Sequence, residues 1–182
     1  GKLGTAIVTL SEINEYLQEG MLRTSQSVLK LDELNKIVSL AKSIGKTVVF
    51  TNGCFDLLHS GHIETLKKAS SVCDRLIVAI NSDSSIKKIK GAKRPIQDEK
   101  SRLSIISSLS MVDAVVLFNE NTPLKLIELI KPDFLIKGED YKTSEIVGAN
   151  IISKWGGKIV RTKLVKNRST TKLIKLINQN IK

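Results

Sequence analysis

The sequence predicts an α/β fold: a Rossmann-like, doubly wound, five-stranded parallel sheet with helices on both faces. Three observations predict it. Short β-branched apolar runs alternate along the chain with longer amphipathic runs, the pattern of strands joined by crossover helices. The short runs read as buried strands, as expected of a parallel sheet covered on both sides. A hydrophobic content of 41% in 182 residues is enough for one buried core plus a short appendage.

Residues 1–28 read differently from the rest, with a short strand at 6–8, a capped helix over 11–19 closing at Gly20, and a linker over 20–27. Too short for a core of its own, this piece is expected to pack on something else. From residue 29 the alternation begins. Leu31, Leu34, Ile37, Val38, Leu40 and Ala41 recur at helical spacing up to Gly45, and 47–50 is a buried strand. A helix over 60–71, a strand at 75–80 and a polar loop over 81–96 follow, then a helix over 98–109 and a strand at 113–118. The next helix runs over 122–130 with Pro123 in its first turn. Strand 133–137, helix 144–154, strand 158–160 and a last helix over 169–180 complete the chain. In such a sheet a ligand sits beyond the carboxyl ends of the strands, where the winding reverses.

Composition narrows the function. The net charge of +11 suits a nucleic acid, an anionic surface or a phosphorylated substrate, but aromatic residues are only 4% and unclustered, so no base-stacking platform and no nucleic-acid partner is expected. No apolar run approaches the roughly 20 residues needed to cross a bilayer, and no charged-then-apolar leader opens the sequence. The chain begins at Gly1 rather than Met and is expected to be a segment or processed form of a longer protein, soluble and cytoplasmic. Cys54 and Cys73 lack a second pair at metal spacing and read as reduced, small core residues.

The informative stretch is the turn from Phe50 to His62, Phe-Thr-Asn-Gly-Cys-Phe-Asp-Leu-Leu-His-Ser-Gly-His. It joins a buried strand to an amphipathic helix with glycines at Gly53 and Gly61 and histidines at His59 and His62. Helix amides and dipole favour an anion there, glycine lets backbone approach it, and histidines three apart share a direction. A second turn leads from strand 158–160 into Arg168-Ser169-Thr170-Thr171. Its hydroxyls either cap the helix or donate to a phosphate. Asp56 stands between two roles, a turn-stabilising side chain or a metal-facing carboxylate; Tyr141 and Trp155 read as packing residues.

The H-x-G-H run at 59–62 after a buried strand, with Ser169-Thr170-Thr171 opening the last helix, resembles the superfamily of nucleotidyltransferases that move a nucleotidyl group onto a phosphate or carboxylate. From about residue 31 to 177 the chain looks more closely like the adenylyltransferases that convert D-glycero-β-D-manno-heptose 1-phosphate and ATP to ADP-heptose for bacterial lipopolysaccharide. The features shared include Thr51-Asn52-Gly53, Asn81-Ser82-Asp83, Lys90-Gly91, Arg94-Pro95, Arg102, Lys137-Gly138-Glu139-Asp140-Tyr141 and Gly156-Gly157. The opening residues, Gly1 to Ala6, resemble the end of the sugar-kinase domain that precedes this transferase in bifunctional members, so a covalent kinase domain in the parent protein is implied.

The resemblance implies that His59 and His62 are catalytic donors to the triphosphate. It implies nucleotide contacts from Asn52, Gly53, Cys54, Phe55 and Gly61, from Gly138 and Asp140 to adenine or ribose, and from Ser169, Thr170 and Thr171 to phosphates. Lys90, Lys93 and Arg94 of the basic loop, with Arg102 as a phosphate clamp, are implied for substrate phosphates. ATP and a sugar phosphate are the expected ligands, Mg²⁺ the triphosphate's counter-ion without a protein cage, and a homo-oligomer the expected assembly. One departure stands out: Lys166-Asn167-Arg168 replaces the family's acidic residue and glycine before Ser169. The nearest rival is glycerol-3-phosphate cytidylyltransferase or another small polyol- or sugar-phosphate enzyme. Leu164-Val165 stands where the glycerol type shows Arg-Thr, which favours heptose. A non-catalytic nucleotide-binding domain is the remaining alternative.

Overall fold

In a computed structural model, which describes residues 27–139, 141–163 and 170–180, the expected α/β sandwich forms. Six parallel strands take the order β1-β4-β3-β2-β5-β6. They are β1 (Ser27–Leu29), β2 (Val48–Gly53), β3 (Arg75–Asn81), β4 (Ala114–Phe118), β5 (Phe134–Gly138) and β6 (Lys158–Thr162). Helices α1 (Leu31–Ser43), α2 (Ser60–Ser70), α3 (Asp83–Lys90), α4 (Glu99–Ser107), α5 (Leu124–Ile130) and α6 (Thr170–Asn180) connect or follow them. From β2 the chain winds outward through β3 to β4, then returns to β5 on the other side of β2. The crevice between β2 and β5 is therefore the topological switch point.

Both faces are apolar, as the uninterrupted strand runs require. Phe50, Ile77, Ala79 and Val116 pack under Leu34 and Val38 of α1 and Ile127 and Ile130 of α5. Val49, Leu76, Val78 and Val115 pack under Leu66 and Ala69 of α2 and Ile106 of α4. Three aspartates standing just before strands fasten their amino ends. Asp74 accepts from the amide of Thr47 at 2.8 Å, Asp113 from Leu76 at 2.7 Å and Asp133 from Val48 at 2.7 Å. Each satisfies an amide at the start of a neighbouring strand, where the ladder has no further rung.

Four elements differ from the sequence reading. A sixth strand, β1, adds to β4 through Ser27↔Ala114 to Leu29↔Val116; three residues are too few to show a period. The expected polar loop over 81–96 contains α3, capped by Ser82, whose hydroxyl accepts from the Ser85 amide at 3.2 Å. The expected helix over 144–154 is instead two short 3₁₀ turns, Thr143–Glu145 and Ile152–Trp155, separated at Gly148, whose φ of +92° no continuing helix adopts. Pro123 is the residue before α5 rather than within its first turn. The strand, helix and most of the linker expected over 1–27, and the turn over 164–169, lie outside the described residues. Among the described residues no helix is long and apolar enough to cross a membrane.

Cys73 behaves as a structural thiol: burial pushes it up to about 12, and its sulfur lies 3.3 Å from the Ala69 carbonyl. Trp155 is likewise structural, its indole donating to the Pro132 carbonyl at 3.0 Å. Gly157 lets these pieces meet, because a Cβ there would stand 2.6 Å from Pro132 O and 2.6 Å from Ile152 Cγ1. Gly157→Ala should therefore cost about 1–3 kcal/mol through forced displacement of packed atoms. Urea denaturation checks this, and an unchanged midpoint would show that the turn yields freely.

Candidate active site

At the carboxyl end of β2 the chain makes a turn that only a small residue followed by a left-handed one permits. Phe55 has φ of 47°, a conformation a non-glycine residue adopts at a cost. Its ring is buried, and a Cβ on Gly53 would lie 3.1 Å from it. The same ring packs against His62 at 5.1 Å between centroids. Packing thus holds the turn in a backbone state that local preference disfavours.

Asp56 anchors the turn from below. It is 1% exposed and accepts from the amides of Ile96 at 2.7 Å and Gln97 at 3.1 Å, with Arg94 Nε and Nη2 each 2.5 Å from its Oδ2. The turn-stabilising reading of Asp56 holds: its oxygens are saturated by protein donors. Arg94 is correspondingly turned inward, which corrects its expected phosphate contact.

Arg102 requires the larger correction. Expected as a phosphate clamp, it is completely buried. Its Nη1 donates to the carbonyls of Cys54 and Asn81, both at 2.7 Å, its Nε to Gln97 O at 3.1 Å, and its Nη2 to Asp83 at 2.7 Å. With four acceptors in the interior, the guanidinium braces the ends of β2 and β3 and offers nothing to the cavity.

His59 precedes α2 in extended conformation and His62 stands on its first turn. Their rings stack at 3.8 Å between centroids, tilted by 20°. The His59 amide donates to His62 Nδ1 at 3.4 Å, which places the His62 proton on Nε2. Burial first, then His59, then Lys90, hold His62 down at about 4, so it is a neutral donor near pH 7.

These elements open on one cavity of about 460 Å³ at the switch point, within the range of small-molecule sites. Asn52, Gly53, Cys54 and Phe55 line it from β2 and the turn; His59, Gly61 and His62 line it from α2. Gly138 lines it from β5, Lys90 from α3, and Thr170 and Thr171 from α6. Thr170 Oγ1 lies 3.4 Å from the Leu57 carbonyl, which ties α6 to the turn. Lys93 is exposed and does not line the cavity. Asp140 and Ser169 lie outside the described residues.

Sequence reasoning gave no role to several residues found here. Lys137, at the end of β5, donates to Asn52 O at 2.9 Å and lies 5.6 Å from the centre of the Tyr141 ring. Tyr141, read as packing, is a half-exposed part of the wall. Thr65 lines the cavity one turn after Gly61, to whose carbonyl it donates at 3.1 Å. The signal for Lys137 was its place at the carboxyl end of the strand across the switch point; for Thr65 it was helical spacing from His62.

A strand-turn-helix cavity at the switch point, with a histidine pair at the start of one helix and threonines on another, defines the class. Residues 50–178 match the cytidylyltransferase-like family, and the chain belongs to it. More particularly, it is 44% identical over 181 residues to the bifunctional protein HldE of Paramagnetospirillum magneticum, covering 99% of this chain and 37% of that one. It is 43% identical over 178 residues to the bifunctional protein HldE of Caulobacter vibrioides, covering 97% of this chain and 37% of that one. The chain thus spans little more than a third of the length of these relatives. A crystal structure of the lipopolysaccharide core biosynthesis protein from Thermoplasma volcanium GSS1 is similar with a TM-score of 0.55 and 35% identity, over 68% of this chain and all of that one.

The buried neutral imidazole has a measurable consequence. The unfolded chain takes up a proton at His62 as pH falls through 6.5, whereas the native chain resists until about 4. This group therefore lowers stability as pH falls across that window. NMR titration should give a His62 midpoint near 4, rising when a triphosphate binds because a nearby anion favours the charged ring. A midpoint of about 6.5 in the free protein, the unperturbed value, would mean that the ring is solvated.

Proposed function

We propose that this chain is an adenylyltransferase that moves AMP from ATP onto D-glycero-β-D-manno-heptose 1-phosphate, giving ADP-heptose and pyrophosphate for lipopolysaccharide synthesis. The observation that carries the chemistry is the cavity between β2 and β5, where the His59–His62 pair at the start of α2 faces the same space as Thr170 and Thr171 on α6. The acceptor is supported by the match to HldE proteins along almost the whole chain and by the Lys137-Gly138-Glu139-Asp140-Tyr141 run.

In this reading an oxygen of the sugar phosphate forms the new bond to the α-phosphorus. The bond from that phosphorus to its bridging oxygen breaks, and the electron pair leaves with pyrophosphate. No general base is required, because a phosphate monoester with a second pKa of about 6 is already a dianion. Catalysis then consists of positioning and charge stabilisation. His59 and His62 donate to the triphosphate, His62 through Nε2 to the α-phosphate, while Thr170 and Thr171 meet the departing phosphates. Gly138 lies on the adenine and ribose side, with Asp140 and Ser169 assigned by likeness alone. Lys90, at the end of α3, is the candidate for an incoming phosphate, whereas Lys93 is exposed and away from the cavity lining.

Mg²⁺ enters as the triphosphate's counter-ion, screening its charge and held by phosphate oxygens and water. Among the described residues no group of three or more His, Cys, Asp or Glu is placed to cage a cation, and Asp56 is saturated by Arg94 and two amides. Residues 1–26 are read as the tail of a preceding kinase domain plus linker, the boundary of 28 moving back because Ser27–Leu29 pairs with β4, in a cytoplasmic parent protein that forms a homo-oligomer.

The deciding measurement is pyrophosphate release with ATP or CTP, each crossed with heptose 1-phosphate or glycerol 3-phosphate. ATP with the heptose should be the productive pair; preference for CTP with glycerol 3-phosphate would overturn the assignment in favour of the polyol enzyme. Tight ATP binding without pyrophosphate release from any pair would mark a binding domain. His62→Ala should lower kcat by roughly 10²- to 10³-fold, the scale of losing one preorganised donor. A loss under about threefold, small beside that scale, would remove His62 from the chemistry.

A further inference from the structure

Transfer between a triphosphate and a sugar phosphate gathers several negative charges in one cavity. The histidine side supplies dipoles more than charge, since burial holds His62 neutral. Beyond the counter-ion that travels with the triphosphate, formal positive charge must come from other residues. The two arginines expected to provide it, Arg94 and Arg102, are committed to interior acceptors. Among the described residues that line the cavity, Lys90 and Lys137 are the basic side chains. Lys90 ends α3 in an exposed position, where water and salt weaken its field.

Lys137 is placed differently. It is half-buried at the carboxyl end of β5. β2 and β5 pair up to Thr51↔Ile136, so Asn52 and Lys137 follow on the two sides of the switch point. The ammonium, 2.9 Å from Asn52 O and 5.6 Å from the Tyr141 ring centre, is held within the crevice rather than extended into water. Beside it, Asn52 Oδ1 is buried and accepts no hydrogen bond, an acceptor suited to a hydroxyl of a bound ligand.

We infer that Lys137 is a catalytic cation of this site, its ammonium binding a non-bridging oxygen of the transferred α-phosphate from the β5 wall of the crevice. The inference rests on the transfer reaction proposed above. Lys137 neither gives nor takes a proton in that reaction. It exchanges the Asn52 carbonyl for a phosphate oxygen and offsets charge on the equatorial oxygens while the phosphorus passes from the bridging oxygen to the acceptor.

The test uses the full chain with ATP and heptose 1-phosphate, and with the two diastereomers of ATP that carry sulfur on the α-phosphate. Lys137→Met should lower kcat by about 10²- to 10³-fold at an unchanged melting temperature, and should level the wild-type preference between the diastereomers. Lys137→Arg, which keeps the charge, should recover part of the rate; it also supplies the diastereomer readout if the methionine variant does not fold. A kcat within about threefold of wild type, small beside the loss of one donor, overturns the role. So does a rate loss with the diastereomer preference intact, the mark of a purely structural residue. A rise confined to KM for the sugar phosphate overturns it in favour of the acceptor's own phosphate. A wild-type chain that performs no transfer overturns the proposed reaction itself, an outcome separable from all of these.

Discussion

The architecture of the site depends on a charge that never meets solvent. Arg102 is 0% exposed, and a buried guanidinium is tolerable only when its donors are matched. Here three are matched by carbonyls of Cys54, Asn81 and Gln97 and one by the Asp83 carboxylate. Each carbonyl belongs to a different piece of the active-site frame: the turn after β2, the end of β3, and the loop before α4. These strand ends have run out of ladder partners. The planar fork of arginine can satisfy them together in a way that a lysine's single ammonium cannot. The bond that neutralises Arg102, from Asp83, also fixes the start of α3.

Asp56 is the complementary device. It sits in the turn itself and draws in the 94–97 segment through Arg94 and two amides. The two ion pairs share Gln97, whose amide goes to Asp56 and whose carbonyl goes to Arg102. The loop after α3 is therefore cross-braced to the histidine turn through both backbone polar groups of one residue. Once the turn is held this way, the unfavourable backbone of Phe55 becomes affordable, and the Phe55 ring in turn backs His62.

Much of this was legible beforehand, and the limits have physical causes. The alternation of buried runs and amphipathic runs placed five strands, because burial on both faces leaves an unmistakable composition. The site's location followed from the rule for open parallel sheets together with the glycine and histidine spacing between Gly53 and His62. A sequence does not say whether a charged residue faces a ligand or the interior, however, and Arg94 and Arg102 are ordinary basic residues until their burial is known. Likewise α3 hides in a run of serines and lysines whose helicity comes from its Ser82 cap and the packing of Ile86. Gly148 shows the reverse case. The sequence reads as a helix over 144–154, but Gly148 has a φ of +92° that no helix continues through, and a Cβ there would stand 2.9 Å from Ile127 Cδ1.

With Arg94 and Arg102 internal, the overall charge of +11 says little about how an anion would be recognised. Exposed lysines such as Lys87, Lys88 and Lys93 attract any polyanion, and salt screens them over about 8–10 Å. The cavity works by other means. It sets a neutral Nε2–H donor, the amino end of a helix and threonine hydroxyls on one side, and one lysine tethered across the crevice on the other. Such groups select by direction rather than by charge, because a hydrogen-bond donor weakens steeply away from its axis whereas a mobile surface cation does not. In the proposed reaction a phosphate chain would bind only where its oxygens fall on those donors, and the bracing of the histidine turn by Arg102 and Asp56 fixes the turn that carries the first of them.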